Sequence, residues 1–283
     1  MPDVSIIVPS RNEIFLQHTV TDLLKNGTDI EVIAVLEGYW PNPPLLPDTR
    51  LIQLHRGRAM GMRAAINAAA AIAKGKYLMK CDAHCMFGEG YDTILKADCD
   101  GDWIVIPRRY SLDAEKWERR MDRTPIDYEY LRYHYYDPNE LGIHGTVWPE
   151  RARQRRDVMI DENMSFQGSC WFMPAAHFAR LGGMQEEGYG TFIGEPQEIG
   201  LKTWLSGGKQ MTNKNTWYAH LHKGRQYGRG YSLSKRELVD GNRYSVETWV
   251  GNRWPGRIHD LEWLIERFFP VPTWPEDRSK WTL

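Results

Sequence analysis

The stretch "YLMKCDAHC" (77–85) closes a run of strand-forming residues with an aspartate and, two places on, a histidine, with a cysteine on either side. Three readings compete: a metal site, a disulfide or redox motif, or polar residues at an ordinary turn. In extended backbone, residues i and i+2 point to the same side. Asp82 and His84 can therefore face one cation, and Ala83 between them is small enough to let a ligand approach. A carboxylate–imidazole set suits Mn²⁺, and less selectively Mg²⁺, with positions left open for phosphate oxygens. Cys81 and Cys85 supply only two thiols, at a poor spacing for a four-ligand zinc site. Alone, D-x-H is a weak motif. Its weight comes from where it falls in the chain.

Upstream, "VSIIVPS" (4–10) is a short apolar run ended by Pro9 and reads as a buried parallel strand. Residues 11–27 carry helical spacing at Leu16, Val20, Leu23 and Leu24, with Gly27 as a stop signal. "IEVIAVLEG" (30–38) and "RLIQLH" (50–55) are further strands, separated by the proline-rich "YWPNPPLLPD". The alanine-rich 61–75 predicts a helix closed by Gly75. A fourth strand covers 76–82 and a fifth 102–108. Alternation of strand and helix with apolar strands predicts a parallel sheet covered on both faces. Ligands of such sheets bind at the carboxyl ends of the strands, and residues 9–11, 37–39 and 82–84 all lie at those ends.

The rest of the chain is read more coarsely. Residues 109–165 are crowded with charge and tyrosine and have poor periodicity ("EKWERRMDRTPIDYEYLRYHYY"). They read as an excursion over the sheet holding acceptor-side surface, or equally as a solvated helix pair. Order returns from 166, with a strand, a turn at Pro174 and a short helix in "FQGSCWFMPAAHFARLGG". A helix over 194–208 and a further strand ending in "TWYAHLHKG" come next. A chain of 283 residues can bury a sizeable core, and its net charge of -1 argues against a protein that binds polyanions over its whole surface. Four cysteines do not make a disulfide framework, so reduced thiols and a cytoplasmic setting are expected. No apolar run reaches membrane-spanning length, and neither signal peptide nor anchor is expected. The 12 tryptophans, mostly in the C-terminal half, are either carbohydrate- or base-stacking surfaces or core filler.

The order "VSIIVPSRNE", "VLEGY", "GMRAA", "YLMKCDAHC" resembles the GT-A glycosyltransferases. The D-x-H-C form resembles the polypeptide N-acetylgalactosaminyltransferases in particular, beside the related family 2 glycosyltransferases. The likeness continues downstream. "GSCWFMPAAHF" (168–178) is similar to that family's glycine-rich strand at the sugar site, and "FIGEPQEIGLKTWLSGG" (192–208) to its W-G-G-E-N helix. "YAHLHK" (218–223) falls on its G-H-x-F-R strand, and "LEWLIERFFP" (261–270) looks like the segment closing its catalytic domain. Only 109–165 lies outside the resemblance.

The resemblance implies an α/β GT-A fold, with a central, mostly parallel, Rossmann-like sheet flanked by helices. It implies one catalytic domain over 1–283: a nucleotide-sugar half (1–108), the excursion (109–165), and an acceptor and catalytic half (166–283) with a C-terminal lid and tail. It implies three metal ligands, Asp82, His84 and His220, with His222 a rival one step along the same face. Pro9, Ser10 and Arg11 would line the base pocket, Glu37 would face the nucleoside, and Arg63 would touch nucleotide or phosphate. Ala83, Gly168 and Ser169 would lie along the donor, and Lys223 stands in the place of an arginine. Pro9, Phe192 and Ser169 depart from the family pattern where base and sugar should sit, so a UDP-sugar is only the first expectation.

The implied chemistry is metal-dependent transfer of a hexosyl or N-acetylhexosaminyl group from a nucleotide-sugar to a hydroxyl, with retention of configuration. Lys223 and Arg63 would help neutralise the leaving diphosphate. Glu195 would position groups beside the sugar; in an inverting enzyme Glu195 or Glu198 would be the general base. The glycine- and arginine-rich 222–237 reads as a lid over the donor. The acceptor expected from the resemblance is a polypeptide or small-molecule hydroxyl. The basic run "RARQRR" (151–156), with Lys223, Arg225, Arg229, Lys235, Arg236, Arg243, Arg253 and Arg257, raises a second acceptor. That acceptor is a hydroxymethylated base of DNA, as in phage-type DNA modification. A catalytically silent sugar-nucleotide or glycan-binding module is the reading from another class, and the intact Asp82, His84, Glu195 and His220 set speaks against it. A nucleotidyltransferase would show a glycine-rich basic loop after the first strand, and "PSRNEI" is not one.

Overall fold

The computed structural model describes residues 1–133 and 142–281. In chain order the elements are β1 (Val4–Ser10), α1 (Leu16–Asn26), β2 (Ile30–Glu37), β3 (Leu51–Arg56), α2 (Met62–Ala70), β4 (Tyr77–Cys81), β5 (Cys85–Phe87), α3 (Tyr91–Ala97) and β6 (Trp103–Asp113). Then come β7 (Glu118–Arg119), β8 (Glu129–Tyr133), β9 (Ile143–Val147), α4 (Pro149–Gln154), β10 (Ile160–Glu162), β11 (Cys170–Pro174), α5 (Ala175–Arg180) and α6 (Glu195–Leu205). The chain continues with β12 (Lys209–His220), α7 (Gly224–Tyr227), α8 (Lys235–Trp249) and α9 (Leu261–Phe268).

Side-chain alternation along the first strands decides the layering. Val4, Ile6 and Val8 of β1 and Val32, Ala34 and Leu36 of β2 face one core, where α1 and α3 add Leu16, Val20, Leu23, Tyr91 and Leu95. Ile7, Ile33 and Val35 face the other, closed by Ala65, Ile66 and Ala69 of α2, Phe178 of α5 and Ile199 of α6. Both faces are dry, which is why these strands read as unbroken apolar runs. The sheet order is β3-β2-β1-β4-β11-β6-β12-β10. Pairs β1–β2, β1–β4, β2–β3 and β6–β12 are parallel, while β11 enters antiparallel between β4 and β6. The expected mostly parallel α/β sheet is present, with this antiparallel insertion.

One short pairing brings the far side of the sheet to the tip of β4. β5 leaves directly from the Asp82–His84 turn and pairs antiparallel with the end of β12, setting His220 opposite Cys85. The last residues of β12 are thereby drawn over that turn.

A third core lies apart from the sheet. It gathers Tyr128, Tyr130, Leu131 and Tyr133, then Leu201, Trp204 and Leu205 on the far side of α6, Trp249 of α8, Leu264 and Ile265 of α9, and Trp274 and Trp281. Most of the C-terminal tryptophans are therefore core filler; the exposed tryptophan, Trp40 at 64%, lies near the other end of the chain. Among the described residues, the middle of the chain is not a helix pair. β6 runs on to Asp113, β8 and β9 form an antiparallel hairpin, and α4 spans six residues. Tyrosines that looked like surface decoration among the charges are buried here; the tract's continuation over 134–141 lies outside the described residues.

The alanine-rich helix stops at Ala70, not at Gly75. Gly75 has another purpose: a Cβ there would sit 2.5 Å from the backbone nitrogen of Ser5. The Ser5 hydroxyl accepts from the backbone N–H groups of Lys74 (3.1 Å) and Gly75 (2.8 Å), closing the chain onto β1. Backbone cannot give way as a side-chain tip can. Gly75→Ala is expected to destabilise the protein by about 1–3 kcal/mol, the usual cost of overpacking, read from urea unfolding; an unchanged midpoint would contradict the close approach.

Candidate active site

A cleft of about 560 Å³ opens along the carboxyl ends of the strands. Pro9, Ser10, Glu37, Gly61 and Met62 line one end, and Asp82, Ala83, His84 and His220 its middle. Gln167, Phe192 and His222 complete the wall, and Lys223, Gly224, Gly228, Arg229 and Tyr231 the segment above it.

At the middle, one ligand atom each from Asp82, His84 and His220 lies within 4.8 Å of the others. An octahedral ion with bonds of about 2.1 Å sets its ligand atoms about 3.0–4.2 Å apart, so the group needs only slight contraction. The Asp82 carboxylate is divided between two tasks. Its Oδ1 accepts from Lys80 Nζ at 2.7 Å, while Oδ2 faces His220 Nε2 at 3.4 Å and His84 Nε2 at 3.8 Å. His84 Nδ1 lies 3.1 Å from Glu13 Oε2, so its Nε2 is turned to the centre. That is the usual arrangement of a metal-bound imidazole, with a carboxylate fixing the opposite nitrogen. His220 is buried and neither ring nitrogen has a well-formed hydrogen bond. A buried unpaired imidazole is costly, and a bound cation removes that cost. His222 is exposed and is not in the group; its ring stands 4.8 Å from that of His220.

Electrostatics match a cation site. Burial pushes the Asp82 carboxyl up, but Lys80, then His220 and His84, hold it well below the usual range. Burial works against the Lys80 ammonium, yet Asp82 and Glu195 keep it charged. Burial lowers His220 to about 3, with Asp82 opposing, so the ring is neutral and able to ligate. Cys81, Cys85 and Cys170 form no disulfide; burial lifts their thiols far above the ordinary value, as expected of packing residues.

The remaining expected residues divide into three groups. Glu37 is at the cleft: its Oε2 accepts from Met60 N (2.6 Å) and Gly61 N (2.9 Å), and Arg56 Nε stands 3.3 Å from Oε1. Ser10 Oγ is hydrogen-bonded to the Tyr39 hydroxyl. Lys223 donates to Glu13 at 2.7 Å, and Arg11 stacks over Tyr231 with its guanidinium carbon 5.2 Å from the ring centre.

A second group lies behind the wall. Gly168 gives its carbonyl to Lys80 Nζ, and Ser169 O accepts from Asp82 N at 2.9 Å. Glu195 is 1% exposed, with Oε1 accepting from Trp171 Nε1 at 2.6 Å and Oε2 3.6 Å from Lys80 Nζ. Burial raises its pKa above the ordinary carboxylate value, partly offset by Lys80 and Trp171. A Cβ on Gly168 would meet Glu195 Oε2 at 2.1 Å, so the glycine is what lets the carboxylate approach.

The third group is buried away from the cleft lining. Arg63 Nε pairs with Glu198 Oε2 at 3.1 Å, and Glu198 Oε1 accepts from Lys202 Nζ and Gln185 N, each at 2.7 Å. Glu198 is neither on the helix surface nor open to substrate. It ties α2 to α6.

Sequence reasoning did not single out Glu13, Lys80 or Gln167. Lys80 was the most legible of them: a lysine inside an apolar strand needs a partner, and Asp82 at i+2 is on its side. Most of the arginines suggested as a polyanion track are engaged with acids. Arg155 pairs with Asp161, Arg156 with Asp157, Arg236 and Arg243 with Asp240, Arg253 with Glu247, and Arg257 with Asp260. Over the cleft, the segment following β12 is held by Asn12 Nδ2 donating to Gly230 O at 3.0 Å, as a cover would be. No helix among the described residues is long and apolar enough to cross a membrane.

The sequence profile of the family described as "Glycosyl transferase family 2" matches residues 5–158, just over half of the chain. Two Drosophila melanogaster proteins are similar. "Putative polypeptide N-acetylgalactosaminyltransferase 9" is 26% identical over 236 residues, covering 74% of this chain and 34% of its own. "Putative polypeptide N-acetylgalactosaminyltransferase 13" is 23% identical over 283 residues, covering 88% and 48%. The chain thus spans a third to a half of the length of these relatives. Among solved structures, GalNAc-T7 with UDP, GalNAc and Mn²⁺ superposes with a TM-score of 0.67 at 16% identity, covering 94% of this chain and 56% of that one. The mannosyltransferase PcManGT from Pyrobaculum calidifontis, in complex with GDP-Man and Mn²⁺, gives 0.51 at 16%, covering 80% and 59%. TarS of S. aureus gives 0.57 at 13%, covering 95% and 43%. At these identities the structural likeness establishes the GT-A fold.

Two outcomes test this geometry. Glu198→Ala leaves the Arg63 and Lys202 charges buried without their partner and is expected to cost about 3–5 kcal/mol in urea unfolding. A cost near zero would mean the pair is not desolvated. His220 (about 3) and His177 (about 4, lowered by burial and then Arg180) both lie below the unfolded value, so the unfolded chain binds more protons as pH falls. Their stabilising contribution is complete above about pH 6.5 and is lost toward pH 4. Asp22, raised to about 6 by burial, works in the opposite sense, so the histidine share is read as a difference. In chelator, His220→Gln is expected to flatten the fall of the unfolding midpoint between pH 6.5 and 4; an unchanged slope contradicts a buried neutral ring.

Proposed function

The chain belongs to glycosyl transferase family 2, and on that footing we propose that it transfers a sugar from a nucleoside-diphosphate sugar to a hydroxyl. UDP is the first donor base to try, and a polypeptide or small molecule the acceptor. The observation that carries this reading is the pre-assembled Asp82, His84 and His220 group, with the unpaired His220 ring, in the middle of the cleft. Two of the similar structures are described with Mn²⁺ beside UDP and beside GDP-Man, which supports a divalent ion here as well.

Asp82 Oδ2, His84 Nε2 and His220 would hold the ion, which supplies Lewis-acid neutralisation of a leaving diphosphate. The protein's own groups do the rest. Glu37 and the Met60–Gly61 amides it fixes shape the nucleoside end. Arg229 lines the cleft with its guanidinium over Phe192 and no carboxylate partner among the described residues, a cation free to meet phosphate. Lys223, set by Glu13, adds a second. The sugar C1–O bond to phosphate breaks as the acceptor oxygen bonds C1. Of the lining carboxylates, Asp82 and Glu13 face ammonium groups and Glu37 accepts backbone amides, while Glu198 is saturated away from the cleft lining. That supports retention of configuration, with the acceptor proton passing to the departing phosphate oxygen and Glu195 acting as a positioning residue.

The experiment is a panel of UDP- and GDP-sugars with Mn²⁺ and with chelator, followed by thermal shift and by donor hydrolysis. Metal-dependent stabilisation by at least one donor is expected, and His84→Ala is expected to abolish it. Absence of any metal-dependent donor binding would end the reading.

A further inference from the structure

Gln167 lines the same cleft as Asp82, His84 and His220 and has no role in the reading above. It immediately precedes Gly168 and Ser169, whose carbonyls are tied to Lys80 and Asp82. Its carboxamide is held in one orientation. Oε1 accepts from Arg109 Nη1 at 2.7 Å and from Ser169 Oγ at 2.7 Å. Guanidinium can only donate, so the oxygen must be the atom turned toward Arg109. Arg109 is itself anchored, donating through Nη2 to buried Glu129 at 2.7 Å, and Ser169 Oγ is shared with the Tyr218 hydroxyl at 2.8 Å. Among the described residues Nε2 donates to nothing, and Gln167 lines the cleft. The amide therefore offers two N–H donors to the cleft and no acceptor.

The order of strands says what those donors meet. Glu37 ends β2, Ser10 ends β1, Asp82 follows β4, and Gln167 precedes β11, the next strand across. Strands lie about 4.8 Å apart. A nucleotide-sugar laid nucleoside-first over β2 and β1, with its diphosphate at Asp82, has its sugar at the following step. We propose that Gln167 is a specificity-determining residue for the transferred sugar, selecting a hexose with a hydrogen-bond-accepting oxygen, hydroxyl or acetamido carbonyl, turned toward β11. This rests on the donor reading above and deepens it. A sugar lacking that oxygen leaves both N–H groups dry, which costs more than a missing contact on open surface.

Gln167→Glu is the discriminating variant. It keeps two acceptor interactions for Arg109 and Ser169 but replaces the donating nitrogen with an accepting oxygen. Gln167→Ala removes the group. Steady-state donor hydrolysis or transfer is measured for UDP- and GDP-hexoses, their N-acetylhexosamine counterparts, and the deoxy analogues of the best donor; UDP binding with Mn²⁺ is measured by calorimetry. Gln167→Glu is expected to lose about tenfold or more in kcat/KM for the best donor, and Gln167→Ala about three- to tenfold. Gln167→Ala should no longer distinguish one deoxy analogue that the wild type rejects, while its UDP·Mn²⁺ affinity is unchanged. Wild-type kcat/KM and wild-type donor ratios in Gln167→Glu overturn the inference, as does a parallel loss of UDP affinity in Gln167→Ala. If the wild type binds no nucleotide-sugar at all, the donor reading itself fails and takes this inference with it.

Discussion

The Asp82 carboxylate is the constraint on which the site depends. A carboxylate at the tip of a buried strand has two oxygens to satisfy, and here the two are spent differently. Lys80, reaching up from the same face of β4, takes Oδ1, and Oδ2 is left to look at two imidazoles. Because Lys80 is also within 3.6 Å of Glu195 and bonded to the Gly168 carbonyl, one ammonium sets the Asp82 carboxylate, the strand beside it and the acid behind that strand. Removing its charge would leave buried Glu195 and the part-exposed Asp82 carboxylate without the ammonium they share, a more expensive state than either alone.

His220 reaches this carboxylate through topology. β12 lies three steps from β4 along the sheet, and only the short β5 pairing, three residues per strand, bends its end over the Asp82–His84 turn. The ring arrives buried and without a hydrogen bond, which a fold tolerates when something else completes it. Glu13 plays the matching part on the opposite side. One of its oxygens serves both His84 and Lys223, so the orientation of the His84 ring and the position of the Lys223 ammonium are set by the same carboxylate.

Much of this was legible in the residues, for identifiable reasons. Strand ends could be located because apolar runs of parallel strands stop where the ligand edge begins, and Asp82, His84 and Glu37 follow from that. His220 came only with the family resemblance, because a lone histidine in a strand carries no address. Glu198 and Arg63 were misjudged in kind: charge in sequence suggests surface or substrate, whereas here each is the other's reason for being buried. The middle of the chain hid its core because tyrosines alternate with charges that pair locally, as Arg108 does with Asp127 and Arg109 with Glu129, so no apolar period emerges. Gly75 looked like a helix stop, but the requirement was close approach to another strand, which has no local signature.

The third core bears on the polar cleft through α6. α6 is common to two cores, with Ile199 packed under the sheet and Leu201, Trp204 and Leu205 packed among the tryptophans of the C-terminal segment. Its first turn carries Glu195 and Glu198, each engaged from another element, one through Trp171 of β11 and the other through Arg63 of α2. A helix pinned on both flanks by large aromatic surfaces cannot rotate to relieve the electrostatic cost of those buried acids. The aromatic weight at the end of the sequence therefore has its consequence at the cleft. It holds Glu195 behind the wall that Gln167 presents to the cleft, so that Lys80 has two acids to bridge and Asp82 keeps one oxygen free.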